Sequence, residues 1–138
     1  MIYSNERTVK VSCGKQDFYN FVTDIRNFGR FIPESLRQGW NASEEKCSFS
    51  LSGMGEMKIG ISEKIPEEKV VFSGTALSKI SFIIETIITG GAEVNSCDVQ
   101  VTLRAEMDRL TGIIAKPQLD AVFGAIVNEM ENFSGWND

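Results

Sequence analysis

The stretch that decides the fold is Pro117-Gln-Leu-Asp-Ala-Val-Phe-Gly-Ala-Ile-Val-Asn-Glu-Met-Glu-Asn-Phe133. Its apolar residues recur at the spacing of a single helical stripe: Leu119, Val122, Phe123, Ile126, Val127, Met130 and Phe133. Pro117 suits a first helical turn, because its missing N–H would have no partner there anyway. Gly135 stands where a helix stop is expected. The pattern predicts a long amphipathic helix that needs a large apolar partner.

The middle of the chain carries the pattern of a β-sheet that could be this partner. Several stretches show strand-like composition or the alternation of a half-buried strand, and short turns separate them: 36–41, 47–52, 57–62, 70–76, 80–89 and 99–104. Alternation predicts one apolar face and one solvated face. Short turns predict pairing between neighbouring strands, so we expect a mostly antiparallel meander.

Two more segments flank the predicted meander. Alternation over residues 6–13 predicts a first strand, and the aromatic-rich run after it predicts two short helices over about 15–24 and 25–31. After the last strand, Leu110, Ile113 and Ile114 share helical spacing but point about half a turn away from the later stripe. Because the residue before a proline disfavours the α region, we expect a kink or break near Lys116.

Composition excludes several classes of function. The chain has 138 residues, a net charge of −5 and no histidine. Without histidine there is no Ser-His-Asp or Cys-His catalysis and no His-ligated zinc or iron, so we expect neither a metal nor a cofactor. An acidic chain without a basic cluster is also a poor partner for nucleic acid, and we expect none.

Cysteines and hydropathy bear on location. Cys13, Cys47 and Cys97 match no CxxC motif or disulfide framework, which predicts reduced thiols in a cytoplasmic protein. The first residues do not resemble a secretion signal. The most apolar run, 80–88, falls short of the ~18 residues of a membrane helix and contains Glu85, so no integral membrane segment is expected.

Several stretches resemble the START/Bet v 1-like (SRPBCC) superfamily, which includes polyketide cyclase/dehydrase-like and coenzyme-Q-binding proteins. Residues 9–24, followed by Phe28 and Phe31-Ile-Pro33, are similar to its opening strand and helix. Ile61-Ser-Glu-Lys-Ile-Pro-Glu-Glu-Lys-Val70 is similar to one of its hairpins. The resemblance implies one α+β helix-grip domain over residues 1–138. In this fold a curved antiparallel sheet of six to seven strands follows two short helices, and a long C-terminal helix packs over the sheet.

The resemblance also implies a cavity between the sheet and the long helix. We expect its wall to be drawn from apolar residues of both: Phe49, Leu51, Met57, Ile59, Phe72, Phe82, Ile84, Val101, Phe123, Val127 and Met130. Such a cavity suits intracellular binding or transport of a small apolar or amphipathic ligand, such as a lipid, a polyketide or a quinone-like molecule. Two alternatives stay open, a polyketide cyclase/aromatase-like enzyme and a partner-binding or chaperone-type module without a ligand.

Glu85 is the candidate polar group inside this cavity. If Ile83, Glu85 and Ile87 face inward, the carboxyl lies among apolar side chains with a raised pKa. If Phe82 and Ile84 face inward instead, Glu85 is solvated, and these two make the better core pair. No residue group reaches the specificity of a catalytic motif, so we assign no catalytic residue and expect a binder rather than an enzyme. A filled core would favour the partner-binding module, and an open cavity the ligand binder.

Overall fold

The computed structural model describes residues 2–51, 55–77, 79–91 and 93–136. Within these residues the chain forms seven strands and three α-helices: β1 Ile2–Val11, α1 Lys15–Val22, α2 Ile25–Phe28, β2 Gln38–Ala42, β3 Lys46–Leu51, β4 Gly55–Ile65, β5 Lys69–Ala76, β6 Ile80–Gly90, β7 Cys97–Glu106 and α3 Arg109–Asn132. Two short 3-10 turns, Gly29–Phe31 and Glu34–Leu36, lie between α2 and β2.

The seven strands form one curved sheet in the order β1-β7-β6-β5-β4-β3-β2. Every neighbouring pair is antiparallel, as the short turns predicted. Strands β2 to β7 pair in chain order, whereas β1 pairs with β7 at the far edge. The chain therefore crosses from one sheet edge to the other through α1 and α2, which is the α+β arrangement predicted from the sequence.

The long C-terminal helix begins earlier than its apolar stripe indicated. α3 runs without interruption from Arg109, with Pro117 inside it, so the predicted start at Pro117 is wrong. Of the kink or break predicted near Lys116, the break is wrong. Proline removes one hydrogen bond from the helix interior. Packing and capping compensate, because Gly112 and Ala115 are buried and the Asp108 carboxylate accepts from the Thr111 N–H at 2.8 Å.

Aromatic rings fill the space beside the C-terminal end of α3. Phe133 lies 5.2 Å from Phe21 and 5.5 Å from Phe31 between ring centroids, and Trp136 lies 5.2 Å from Phe21. Phe28 stacks on Phe72 of β5 at 4.4 Å and joins α2 to the sheet. Close ring packing of this kind stabilises a core beyond simple burial. This end of the space between α3 and the sheet is therefore filled.

Candidate functional site

A small apolar cavity lies between the sheet and the middle of α3. Its volume is about 30 Å³, close to the share of one molecule in liquid water. It is lined by apolar side chains from four strands, from α3 and from one residue beside α2: Ile32, Phe49, Met57, Ile59, Phe82, Ile84, Leu103, Leu119, Val122, Phe123 and Ile126. A space with no polar lining gives water no partner, so we expect it to be dry.

Six residues of the expected cavity wall lie around this space: Phe49, Met57, Ile59, Phe82, Ile84 and Phe123. The other five are buried in the core without lining it: Leu51, Phe72, Val101, Val127 and Met130. On α3 the residues over the cavity lie within 119–126. The later turns of α3 lie towards the aromatic cluster around Phe133, where rings occupy the space.

Sequence reasoning missed five wall residues: Ile32, Leu103, Leu119, Val122 and Ile126. Three of these belong to the helical stripe already noted in the sequence, and Leu103 belongs to an alternating strand. The periodicity therefore predicted that these four side chains point into the core. It did not predict which of the inward side chains border the cavity. Ile32, which follows a 3-10 turn, continues the apolar face of Phe28 and Phe31 in the sequence, but that pattern did not assign it to the cavity.

Glu85 does not lie in the cavity. Its neighbours Phe82 and Ile84 face α3 and line the cavity, which turns Glu85 to the opposite face of the sheet. There its carboxylate lies 3.4 Å from the Lys69 ammonium, which lies equally close to Glu63. The sheet turns its more apolar face inward because burying Phe82 and Ile84 removes more apolar surface from water than burying Ile83 and Ile87.

One polar side chain of β6 does point inward. Thr86 is buried, and its hydroxyl donates to the backbone carbonyl of Val70 at 2.8 Å. A hydroxyl that is already hydrogen-bonded stabilises the fold and is not free to bind a ligand. Thr86 does not line the cavity, so the cavity wall offers no group for acid–base chemistry.

All three cysteines are buried and free. The thiols of Cys13 and Cys97 are hydrogen-bonded to each other, and this bond together with burial raises the pKa of the Cys13 thiol. Burial raises the pKa of Cys47 to about 11. A buried thiol with a raised pKa carries little thiolate at neutral pH and is a poor nucleophile.

The described part of the chain offers no metal site. Among residues 2–51, 55–77, 79–91 and 93–136, no three His, Cys, Asp or Glu side chains are grouped so that they could hold a metal ion. By length and composition alone, α3 is apolar enough to cross a membrane, with a mean hydropathy of 1.3 over 18 residues. The core helix of a soluble protein meets the same criteria, and the expectation of no membrane segment stays a prediction.

No family model and no curated protein matches the sequence. Solved structures match it over almost their full length. A truncated norcoclaurine synthase from Thalictrum flavum has a TM-score of 0.69 at 10% identity, covering 97% of this chain and 96% of that chain. A START superfamily protein from Mycobacterium smegmatis has a TM-score of 0.62 at 13% identity, with 95% and 99% covered. The XoxI protein from Bacillus cereus has a TM-score of 0.68 at 7% identity, with 94% and 96% covered. At these identities the likeness shows the fold, and the predicted resemblance to START and Bet v 1-like proteins is confirmed.

Proposed function

We propose that this helix-grip protein binds a small apolar or amphipathic molecule, such as a lipid, a polyketide or a quinone-like compound, between the sheet and the middle of α3. We further propose that it does so in the cytoplasm, where its three thiols stay reduced. The observation that carries the proposal is the enclosed cavity whose wall is entirely apolar. An apolar ligand is the one class for which such a wall is complementary.

Binding requires the cavity to expand. A pocket for a drug-sized ligand measures ~300–1,000 Å³, whereas this cavity measures about 30 Å³. The part of α3 over the cavity is the wall best suited to move, because Pro117, just before it, removes one backbone hydrogen bond from the helix. Met57 also lines the space, and its flexible thioether adapts readily to a ligand.

The two alternatives differ in their support. A cyclase-like enzyme would need polar groups at the reacting atoms, and the cavity wall contains none. A partner-binding module without a ligand is favoured by a specific observation, namely that the cavity is nearly filled in this conformation. We therefore keep the module as the second candidate and design the test to separate it from the ligand binder.

The test combines native mass spectrometry of freshly purified protein with titration of Nile red, a neutral apolar dye. Val122 lines the cavity, and the one methylene that Val122→Ile adds is close to the cavity in size. The variant should therefore fold normally and weaken dye binding about tenfold. The control is Val127→Ile, on the same helix but fully buried outside the cavity. Val127→Ile should lower the free energy of unfolding by ~1–3 kcal/mol through overpacking. It should leave the affinity of the folded protein for the dye unchanged.

Two results would contradict the ligand binder. The first is a parent protein that binds no dye and carries no co-purified molecule. The second is dye binding that Val122→Ile leaves unchanged, which would place the dye elsewhere. The first result would favour the partner-binding module.

A further inference from the structure

Arg37 carries a buried hydrogen-bond donor that has no partner. Its Nε–H is shielded from solvent, and nothing in the described part of the chain accepts a hydrogen bond from it. The sequence has 19 acidic residues against 14 basic ones, yet none of the ion pairs among the described residues includes Arg37. Buried polar groups in native proteins are nearly always hydrogen-bonded. The unpaired Nε–H therefore indicates an acceptor that these residues do not supply.

The guanidinium of Arg37 lies against an aromatic ring that leads to the cavity. Arg37 Cζ is 5.3 Å from the centre of the Trp40 ring, and the Trp40 ring is 5.5 Å from the ring of Phe49, which borders the cavity. Ile32, in the same connection between α2 and β2, borders the cavity as well. Contact with an aromatic face helps to hold the guanidinium plane in one orientation. Arg37 thus lies beside the Phe49 end of the cavity, one ring away from it.

Another arginine of this chain shows what the Nε edge of a guanidinium binds. Arg26 donates from Nε to one carboxylate oxygen of Asp24 at 2.9 Å and from Nη2 to the other at 2.6 Å. This pair of parallel bonds matches the geometry of a carboxylate. One guanidinium also balances the single charge of a carboxylate, whereas a phosphate monoester carries nearly two charges at neutral pH. A carboxylate is therefore the acceptor that fits Arg37 best.

We propose that the ligand of this protein is an amphipathic carboxylic acid, whose carboxylate binds the Nε edge of Arg37 while its apolar chain enters the cavity. This ligand class rests on the proposed function, because the carboxylate reaches Arg37 through the same expansion that the cavity requires. The wall of the cavity is apolar throughout, and in such pockets a few polar groups fix the orientation of the ligand. Binding gives the buried Nε–H the acceptor that it lacks in this conformation.

The test compares two ligands that differ only in the head group. These are cis-parinaric acid, a fatty acid whose fluorescence rises in an apolar site, and its methyl ester. The parent protein should bind the acid at least about tenfold more tightly than the ester at neutral pH, because only the acid offers a charged acceptor to the guanidinium. This comparison needs no variant, so it does not depend on how a substitution affects folding.

Two substitutions of Arg37 separate its charge from its geometry. Arg37→Met keeps an unbranched apolar stem beside Trp40 and removes the charge. It should weaken binding of the acid at least about tenfold and leave binding of the ester unchanged. Arg37→Lys keeps the charge but loses the planar fork, so its affinity for the acid should fall between those of the parent protein and Arg37→Met.

The matched control is Arg30→Met. Arg30 also lies over aromatic rings, at 5.9 Å from the ring centre of Phe21 and 6.0 Å from that of Phe133. These rings belong to the filled end of the space under α3 and do not line the cavity. Arg30→Met removes the same charge from the protein as Arg37→Met does, and it should leave the affinities for both ligands unchanged.

Three results would overturn this assignment of the ligand. Equal affinities of the parent protein for acid and ester would do so, while leaving the apolar binding site in place. Equal weakening of both ligands by Arg37→Met would show that Arg37 acts only through packing on Trp40. Weakening of the acid by Arg30→Met as large as that by Arg37→Met would show a general effect of charge. A parent protein that binds neither ligand would contradict both this assignment and the proposed function.

Discussion

Two glycines lie in opposite surroundings and show how the effect of one methyl group depends on its neighbours. At Gly124 on α3 an added Cβ meets open space, whereas at Gly74 on β5 it would collide with the backbone carbonyl of Lys58 on β4. Gly124 lowers the helix propensity of α3, although a larger side chain would meet no other atom of the molecule there. Gly74 permits close contact between neighbouring strands.

Alanine at each glycine therefore has opposite predicted effects. Gly124→Ala should raise the free energy of unfolding by ~0.8–1 kcal/mol, because alanine is the better helix former. Gly74→Ala should lower it, because either the Lys58 carbonyl or the whole strand must shift. Urea denaturation measures both. A loss of stability in Gly124→Ala would mean that the monomer already packs something against this position.

At the scale of elements, α3 is attached to the sheet by side chains of the edge strand β1 as well as by apolar packing. The Tyr3 hydroxyl donates to the Asp120 carboxylate at 2.5 Å and accepts from the Asn5 amide at 3.3 Å. An exposed ion pair joins Arg7 of β1 to Glu131 near the C-terminal end of α3. Exposed ion pairs contribute little, so the buried tyrosine is the stronger of the two attachments.

Tyr3→Phe should loosen this attachment and change the response to alkaline pH. Burial, followed by the bond to Asp120, raises the pKa of Tyr3 from 10.0 to about 12. The protonated hydroxyl therefore stabilises the folded state fully below pH 10, and this contribution is lost as pH rises towards 12. The substitution should lower the free energy of unfolding by ~1–3 kcal/mol at pH 7. It should also remove the part of the stability loss at alkaline pH that is due to Tyr3.

Thermal unfolding followed from pH 7 to pH 11.5 measures both effects. Tyr19→Phe, which alters the chain's other tyrosine on α1, is the control. It should leave the pH dependence between 10 and 12 as in the parent protein. Equal slopes for Tyr3→Phe and the parent protein would contradict a role for Tyr3.

At the scale of the whole molecule, the three buried cysteines allow a test of the proposed location. Cys13 and Cys97 are hydrogen-bonded to each other in the core, and two thiols so placed form a disulfide readily once an oxidant reaches them. If both thiols prove to be reduced in protein purified without reductant, that result would support the cytoplasmic location that we propose.

We expect three thiols to react with Ellman's reagent when protein purified without reductant is unfolded in guanidinium chloride. The folded protein should react far more slowly at pH 7, because all three thiols are buried. Finding one reactive thiol in the unfolded protein would indicate a Cys13–Cys97 disulfide and contradict the proposed cytoplasmic location.

Periodicity in the sequence determined the element types, the antiparallel meander and the apolar stripe of α3, because each of these depends on residues that are neighbours in the chain. It left both faces of β6 open as the inward one. Tertiary packing decided the rest. The helix extends through Pro117 to Arg109, where Gly112 and Ala115 are buried in the core, a tertiary contact that local preference does not carry. The Asp108 cap, by contrast, is a local contact. The cavity is small and lies under residues 119–126 because rings distant in sequence, those of Phe21, Phe31 and Trp136, fill the other end. The spacing of residues along the chain decides which side of a helix or strand a side chain lies on. Whether that side chain borders a cavity depends on all the residues packed around it.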